Sequence, residues 1–345
     1  MEKVDYIVVG LGIAGLAMCE QFEKNGSSYV VFDDGSKGST MVSGGLINPV
    51  VLKRFTAVWN VDQFLQKAVS FYGELSQRLN IEVWYPKNVY RIFNNIEEQN
   101  DWMVASDKME LSPYLSSEVV KNQNPNIVAP FGFGKVFGSG TIDPVSLFRN
   151  YREFLGSKII SEKFEYYKLS EKENSIFYKN YSAKRIIFTE GAAVLKNPYF
   201  KNEYIVPNKG EYIIIKSPKL QIDKILKGPM FVIPLGNDHY KVGATYNRQA
   251  DDNSATEMAK DEIISKLKKM ITCDFEVVDQ PTGIRPTTKD RKPLLGSLPE
   301  SKRKVFFNGL GTRGILMAPY LSEILFDYIE NRIEIPKEID INRMA

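Results

Sequence analysis

Near the N-terminus, Gly10-Leu11-Gly12-Ile13-Ala14-Gly15 repeats glycine at the spacing G-x-G-x-x-G, between an apolar run and a segment of helical texture. In that context each glycine has its own task. Gly10 permits a tight turn, Gly12 lets a pyrophosphate approach the backbone, and Gly15 lets the helix pack closely on the strand. The first helical turn, with Ile13 and Ala14, offers unpaired N–H groups and a partial positive charge to phosphates. Asp33 closes the next apolar run and is placed to accept from ribose hydroxyls, with Asp34 as the alternate. An acid there would repel a 2′-phosphate, so the reading is a dinucleotide other than NADP. A second glycine-rich turn, Gly309-Leu310-Gly311-Thr312-Arg313-Gly314 leading into Ile315, aims more backbone donors at another electron-rich locus.

These loops need elements to position them. Val4 to Val9, Ala14 to Lys24 and Tyr29 to Asp33 read as a β-α-β unit. Val61 to Leu79 and Thr256 to Ile271 are amphipathic helices, and Pro144 to Leu155 is a helix with Asp143 as its N-cap. Between Trp84 and Gly140 the spacing predicts short β-prone pieces and no long helix. Strands are expected at Lys158–Ile160, Ser175–Lys179, Lys184–Thr189 and Glu211–Lys216, and a hairpin at Met230–Pro234 and Tyr240–Ala244 around Gly236-Asn237-Asp238. Val305–Phe307 followed by Ile315 to Ile329 makes a closing strand and helix. The expected architecture is therefore a two-domain α+β/α/β protein, discontinuous in sequence. Both ends build one nucleotide-binding domain (1–83, 141–210 and 283–345), and the middle builds a sheet-rich second one (84–140 and 211–282).

Composition narrows the function. The 345 residues are 43% hydrophobic and 25% charged, which fits a packed globular chain and excludes disorder, collagen and coiled coil. Forty-five Lys+Arg against 42 Asp+Glu leave +3, too weak a field to argue for nucleic acid. The cysteines Cys19 and Cys273 cannot make a disulfide framework, and a single histidine, His239, removes most zinc sites. Tyr6 to Cys19 is uncharged and ends in a faint imitation of a lipoprotein cleavage site. It is shorter than the ~18–20 residues of a bilayer span, and its glycine spacing already has an explanation. The expectation is a metal-free cytoplasmic protein with no membrane partner.

Several stretches resemble the D-amino-acid oxidase superfamily, in its order along nearly the whole chain. Ser39-Thr40-Met41-Val42-Ser43-Gly44-Gly45-Leu46-Ile47-Asn48-Pro49 is similar to its second flavin-contacting loop. Gly283-Ile284-Arg285-Pro286-Thr287-Thr288-Lys289-Asp290 with Pro293 and Gly296 resembles its G-x-R-P-x-T-x-D-x-x-P-x-x-G signature. Asn308 through Ile315 resembles the loop that closes the flavin site, Ile186–Gly191 its central strand ending in glycine, and Pro234 through Thr245 its substrate-domain hairpin. The resemblance implies FAD, a Rossmann-like FAD domain with a mixed or parallel sheet, and an antiparallel substrate domain. Members that link flavin covalently use a cysteine near the G-x-R-P region. None lies beyond Cys273 here, so the FAD is expected to be non-covalent.

The same resemblance makes Arg285 the catalytic and substrate-binding residue, its guanidinium clamping a substrate carboxylate through two parallel donors. The substrate Cα–H then points at flavin N5 for hydride transfer, and the resulting imine is hydrolysed. The reading open beside it is a structural arginine paired with Asp290 or another nearby acid. Thr312 and Arg313 are further candidate substrate contacts, and Tyr246 and Arg248 either line the pocket or belong to a solvated loop. Lys53 and Arg54 are either a solvated pair or a site for an acidic substrate. Phe231 stands where glycine oxidases tend to carry tyrosine, and a phenyl ring supplies no hydroxyl. His239 is expected to be exposed at a turn. The implied activity is oxidation of a C–N bond in a small amino acid or N-substituted glycine, with oxygen or another electron acceptor. The alternatives are the oxidase half of the bifunctional enzyme of tRNA wobble-uridine modification, a 2-hydroxy-acid dehydrogenase, and a non-catalytic flavin-binding protein. Nucleic acid is a partner only under the first of these.

Overall fold

The computed structural model describes residues 1–172, 174–200, 202–249 and 252–344. Its first sheet is centred on strand Glu2–Val9, which runs parallel to Tyr29–Phe32 on one side and to Tyr181–Phe188 on the other. Ile159–Ile160 extends it beyond Tyr29–Phe32, and Lys304–Asn308 adds in parallel to the C-terminal half of Tyr181–Phe188. Strands of this kind, buried on both faces, read as continuous apolar runs. Val30, Val31, Ile186 and Ile187 are at most 2% exposed. Helices Ile13–Asn25 and Gly314–Asn331 pack against each other over this sheet. The uncharged Tyr6 to Cys19 run is thus a strand, a turn and a buried helix. No helix among the described residues is long and apolar enough to cross a membrane.

The second sheet has nine strands, in the order Glu276–Asp279, Val206–Lys216, His239–Gly243, Phe231–Gly236, Ile225–Lys227, Val89–Ile92, Phe133–Val136, Leu115–Val120. The ninth, Thr282–Thr287, pairs with the first half of Val206–Lys216. Neighbours are antiparallel except for Ile225–Lys227 beside Val89–Ile92, which are parallel. The hairpin forms at Asn237 and Asp238, both left-handed (φ 49° and 60°), as a two-residue turn matching the sheet twist requires. Strand Val206–Lys216 begins five residues earlier than the spacing predicts, and this extra half carries the Arg285 strand.

One expectation fails. Ile96–Ser106 is an eleven-residue helix inside the stretch expected to hold no long one. Its polar run Glu97-Glu98-Gln99-Asn100-Asp101 hides the amphipathic period, because Trp102 and Ala105 carry most of the buried face. The legible signal was the cap. The Asn95 side chain accepts from the Glu98 N–H at 2.8 Å, the N-x-x-E spacing of a capping box. Elsewhere the caps act as the sequence indicates. Asp143 accepts from the N–H groups of Val145 and Ser146, and Thr256 from Ala259.

Candidate active site

At the first glycine turn, Gly10 has φ +93° and donates to the Phe32 carbonyl at 2.8 Å. A side-chain carbon on Gly15 would lie 2.2 Å from the Gly10 carbonyl oxygen and 2.9 Å from Thr189 Oγ1, so only glycine lets this helix seat on the strands. The helix N-terminus at Gly12 has no side-chain cap, which leaves the Ile13 and Ala14 end of the helix open to an anion. A carbon on Gly12 would meet only Thr40 Oγ1 at 3.9 Å, and one on Gly191 would meet nothing within 4 Å. This open, donor-lined cradle fits a dinucleotide pyrophosphate. Asp33 is fixed at its edge. Its carboxylate accepts from the Leu11 N–H at 2.7 Å and pairs with Arg152. Asp34 is exposed and folds back on Ser36, whose hydrogen bonds hold its carboxyl below the usual range.

The loop from Ser39 forms one helical turn, Ser39–Val42. Ser43 then donates to the Thr40 carbonyl and accepts from the Gly45 N–H, and Leu46 enters a short strand paired with Gly140–Ile142. The C-terminal turn comes to meet it. Asn308 donates to the Gly191 carbonyl, Gly311 N–H donates to the Pro286 carbonyl, and Arg313 is the residue that opens helix Gly314–Asn331. Gly314 packs against Ile13, where a side-chain carbon would sit 3.1 Å from Ile13 Cγ2, and the Ile315 carbonyl accepts from Tyr72. Leu310 lies buried beneath the turn, with Thr312 exposed on it. The glycine loops of the two chain ends therefore abut.

Across from them lies one face of the second sheet. Side chains directly opposite on paired strands share a face. By register that face holds Asn208 and Arg285, Tyr212 and Gly243, Phe231 opposite Gly243, and Lys241 opposite Ile233. Arg285 is 9% exposed and its guanidinium lies flat on Gly210, where a side-chain carbon would be 2.0 Å from it. It donates to the Thr245 carbonyl at 3.2 Å and stacks on the Tyr246 ring, 4.7 Å from the centroid. Among the described residues it makes no ion pair. Asp290 is taken by Arg343, at 3.0 Å, which removes the structural pairing considered for Arg285. The buried Asn208 Oδ1, beside it in register, has no hydrogen-bond partner among the described residues.

Burial lowers the pKa of Arg313, an effect that Tyr246 opposes and Arg291 adds to. Tyr246 itself is 68% exposed, at the edge of this face. Phe231 is half-buried under Lys227, which stacks on its ring. Arg248, Lys53 and Arg54 are exposed, and His239 sits at the hairpin turn bonded to the Asn237 carbonyl. Two residues of this face had no local signal. Tyr212 places its hydroxyl against the Gly44 N–H and Arg285, and burial raises its pKa. Lys241 reaches the Val42 and Ser43 carbonyls. Both lie on ordinary strand sequence, and only sheet register shows them on the face that carries Arg285. Among the described residues no group of His, Cys, Asp or Glu could hold a metal.

A family model described as "FAD dependent oxidoreductase" matches residues 5–328. The glycine oxidase of Bacillus subtilis (strain 168) is 23% identical across 94% of this chain and 93% of its own. The tRNA 5-methylaminomethyl-2-thiouridine biosynthesis bifunctional protein MnmC of Idiomarina loihiensis is 21% identical, and the match covers 55% of that relative. Among solved structures, glycine oxidase from Geobacillus kaustophilus shares the fold with a TM-score of 0.82 at 18% identity, over 97% of this chain and 96% of that one. Iminodiacetate oxidase from Chelativorans sp. BNC1 aligns at 0.77 and 16%, over 96% and 97%.

Proposed function

The chain belongs to the FAD-dependent oxidoreductase family, and on that premise we propose that it oxidises the C–N bond of a small amino acid or N-substituted glycine. The observation that carries this reading is Arg285, a buried cation without an ion-pair partner among the described residues. Leaving such a charge unpaired costs on the order of several kcal/mol, which a bound carboxylate offsets. Gly210 and the Tyr246 ring hold the guanidinium plane from two sides, so its fork is oriented before a ligand arrives. Bound FAD supplies the two-electron acceptor, and the substrate leaves as an imine that water hydrolyses. The neutral amine is the competent form, because the nitrogen lone pair must form the C=N bond.

Tyr212 offers a hydroxyl beside Arg285, a second carboxylate donor on the face where Phe231 has none. Non-covalent FAD fits the cysteines. Cys19 is fully buried in the first helix, and Cys273 contacts Ser217, just past the end of the strand that pairs Asn208 with Arg285. That places it roughly 30 Å along the strand from Arg285. A second reading, favoured by the match to MnmC, is an N-substituted glycine carried on tRNA, for which the same arginine would serve.

The test is anaerobic bleaching of the roughly 450 nm flavin band by D-amino acids, N-substituted glycines and 2-hydroxy acids. Amine donors should bleach it with release of ammonia or amine. Arg285→Ala should keep FAD while raising KM at least about tenfold. Bleaching by hydroxy acids alone, by no donor, or with unchanged KM in the variant would overturn the reading. Amine oxidation confined to modified tRNA selects the second reading.

A further inference from the structure

Lys241 is 9% exposed and sits on strand His239–Gly243 of the second sheet, two positions before Gly243. Its Nζ donates to the Val42 and Ser43 carbonyls, 2.8 Å each. Those carbonyls close the helical turn Ser39–Val42, and a cation there is favourably placed toward the helix C-terminus. The neighbouring strand supports the same loop. Ile233 lies under Gly44, where a side-chain carbon would be 2.5 Å from Ile233 Cδ1, and Tyr212 is beside it.

No carboxylate contacts the Lys241 ammonium among the described residues. From the strands and helix packed around it, the groups that face it are the Tyr212 ring, 5.3 Å from Nζ, with Asp143 and Asp279 acting only through longer-range attraction. Burial pushes its pKa down to about 8. Two neutral carbonyls satisfy the donors of an ammonium but do not balance its charge. A methionine would fill similar space without that cost, and the distant pull of Asp143 and Asp279 does not make up for burial, which leaves room for a bound anion to offset the rest. FAD, whose pyrophosphate is anionic, is the ligand this loop is expected to touch.

We propose that Lys241 is a positioning residue for FAD, its buried ammonium holding the Ser39–Leu46 loop in the conformation that grips the cofactor and linking that loop to the substrate-binding sheet. The proposal rests on FAD dependence and not on the amine substrate, so the two can fail separately.

The test is FAD titration into apoprotein, read by quenching of FAD fluorescence between pH 6.5 and 9.5, for wild type, Lys241→Met and Lys241→Arg. Wild type should bind tightly below about pH 8 and weaken as the amine loses its proton. Lys241→Met should bind at least tenfold more weakly at pH 7, with no such step. Lys241→Arg keeps the charge at every pH, so it should restore tight binding and also lose the step. A purely packing role would leave affinity independent of charge. Equal affinity of wild type and Lys241→Met at pH 7 overturns the proposal, as does a step near pH 8 that survives in Lys241→Arg. Should Lys241→Met not fold, the comparison of wild type with Lys241→Arg decides alone.

Discussion

The first glycine turn and the Arg285 face of the second sheet both depend on backbone close approach, yet they handle charge in opposite ways. At the first glycine turn Asp33 has a cationic partner within the protein, Arg152, and accepts from the Leu11 N–H as well. The exception is Glu190, at the end of the adjacent strand, which accepts from the neutral Tyr166 and Asn197. On the face of the second sheet, Arg285 and Lys241 have only neutral acceptors among the described residues. The contrast appears even within one ladder. Lys209, 3% exposed, is paired with Glu211 on the opposite face of the strand next to Arg285. Internally paired charge shapes the backbone, whereas buried charge left unpaired creates a demand that a ligand can meet.

The sharpest way to break this comparison is at the first glycine turn. Gly15→Val should abolish FAD retention, at least a hundredfold loss of affinity, because the new side chain collides with the Gly10 carbonyl. The flavin content of purified protein measures it, and a yellow variant would refute the packing argument. Next is Arg285→Lys, which keeps charge but loses the planar fork. A fall in kcat/KM of about tenfold to hundredfold, with FAD content unchanged, is expected from steady-state kinetics. Asp33→Asn should weaken FAD about tenfold and leave substrate KM alone, since a neutral amide accepts more weakly and loses Arg152. FAD titration and kinetics on the reconstituted enzyme separate the two effects.

The smallest effect concerns Glu190. Burial raises its pKa to about 7, against 4.5 unperturbed, and the hydrogen bonds from Tyr166 and Asn197 only partly oppose this. A raised folded-state pKa contributes stability that is complete below 4.5 and lost as pH rises through about 7. Glu190→Gln should flatten the decline of Tm across that window by about 1–3 kcal/mol of stability. Parallel melting curves for variant and wild type would remove Glu190 from the account.

Local signals in the sequence determined the parts of this protein built by neighbouring residues. The Gly10–Gly15 turn, the Asp143 cap and the Asn237-Asp238 hairpin are each specified within a few positions, because backbone conformation and capping are short-range constraints. Even the helix at Ile96–Ser106 announced itself only through its cap. Tertiary structure alone decided which charges find partners. Whether Arg285 meets Asp290 depended on Arg343 reaching that acid first, and which of Asp33 and Asp34 faces the turn depended on Leu11 and Arg152. Lys241 meets a loop 199 residues away along the chain. Such pairings follow from sheet register and domain packing, which sum weak contacts over the whole chain and leave no pattern at the residue itself.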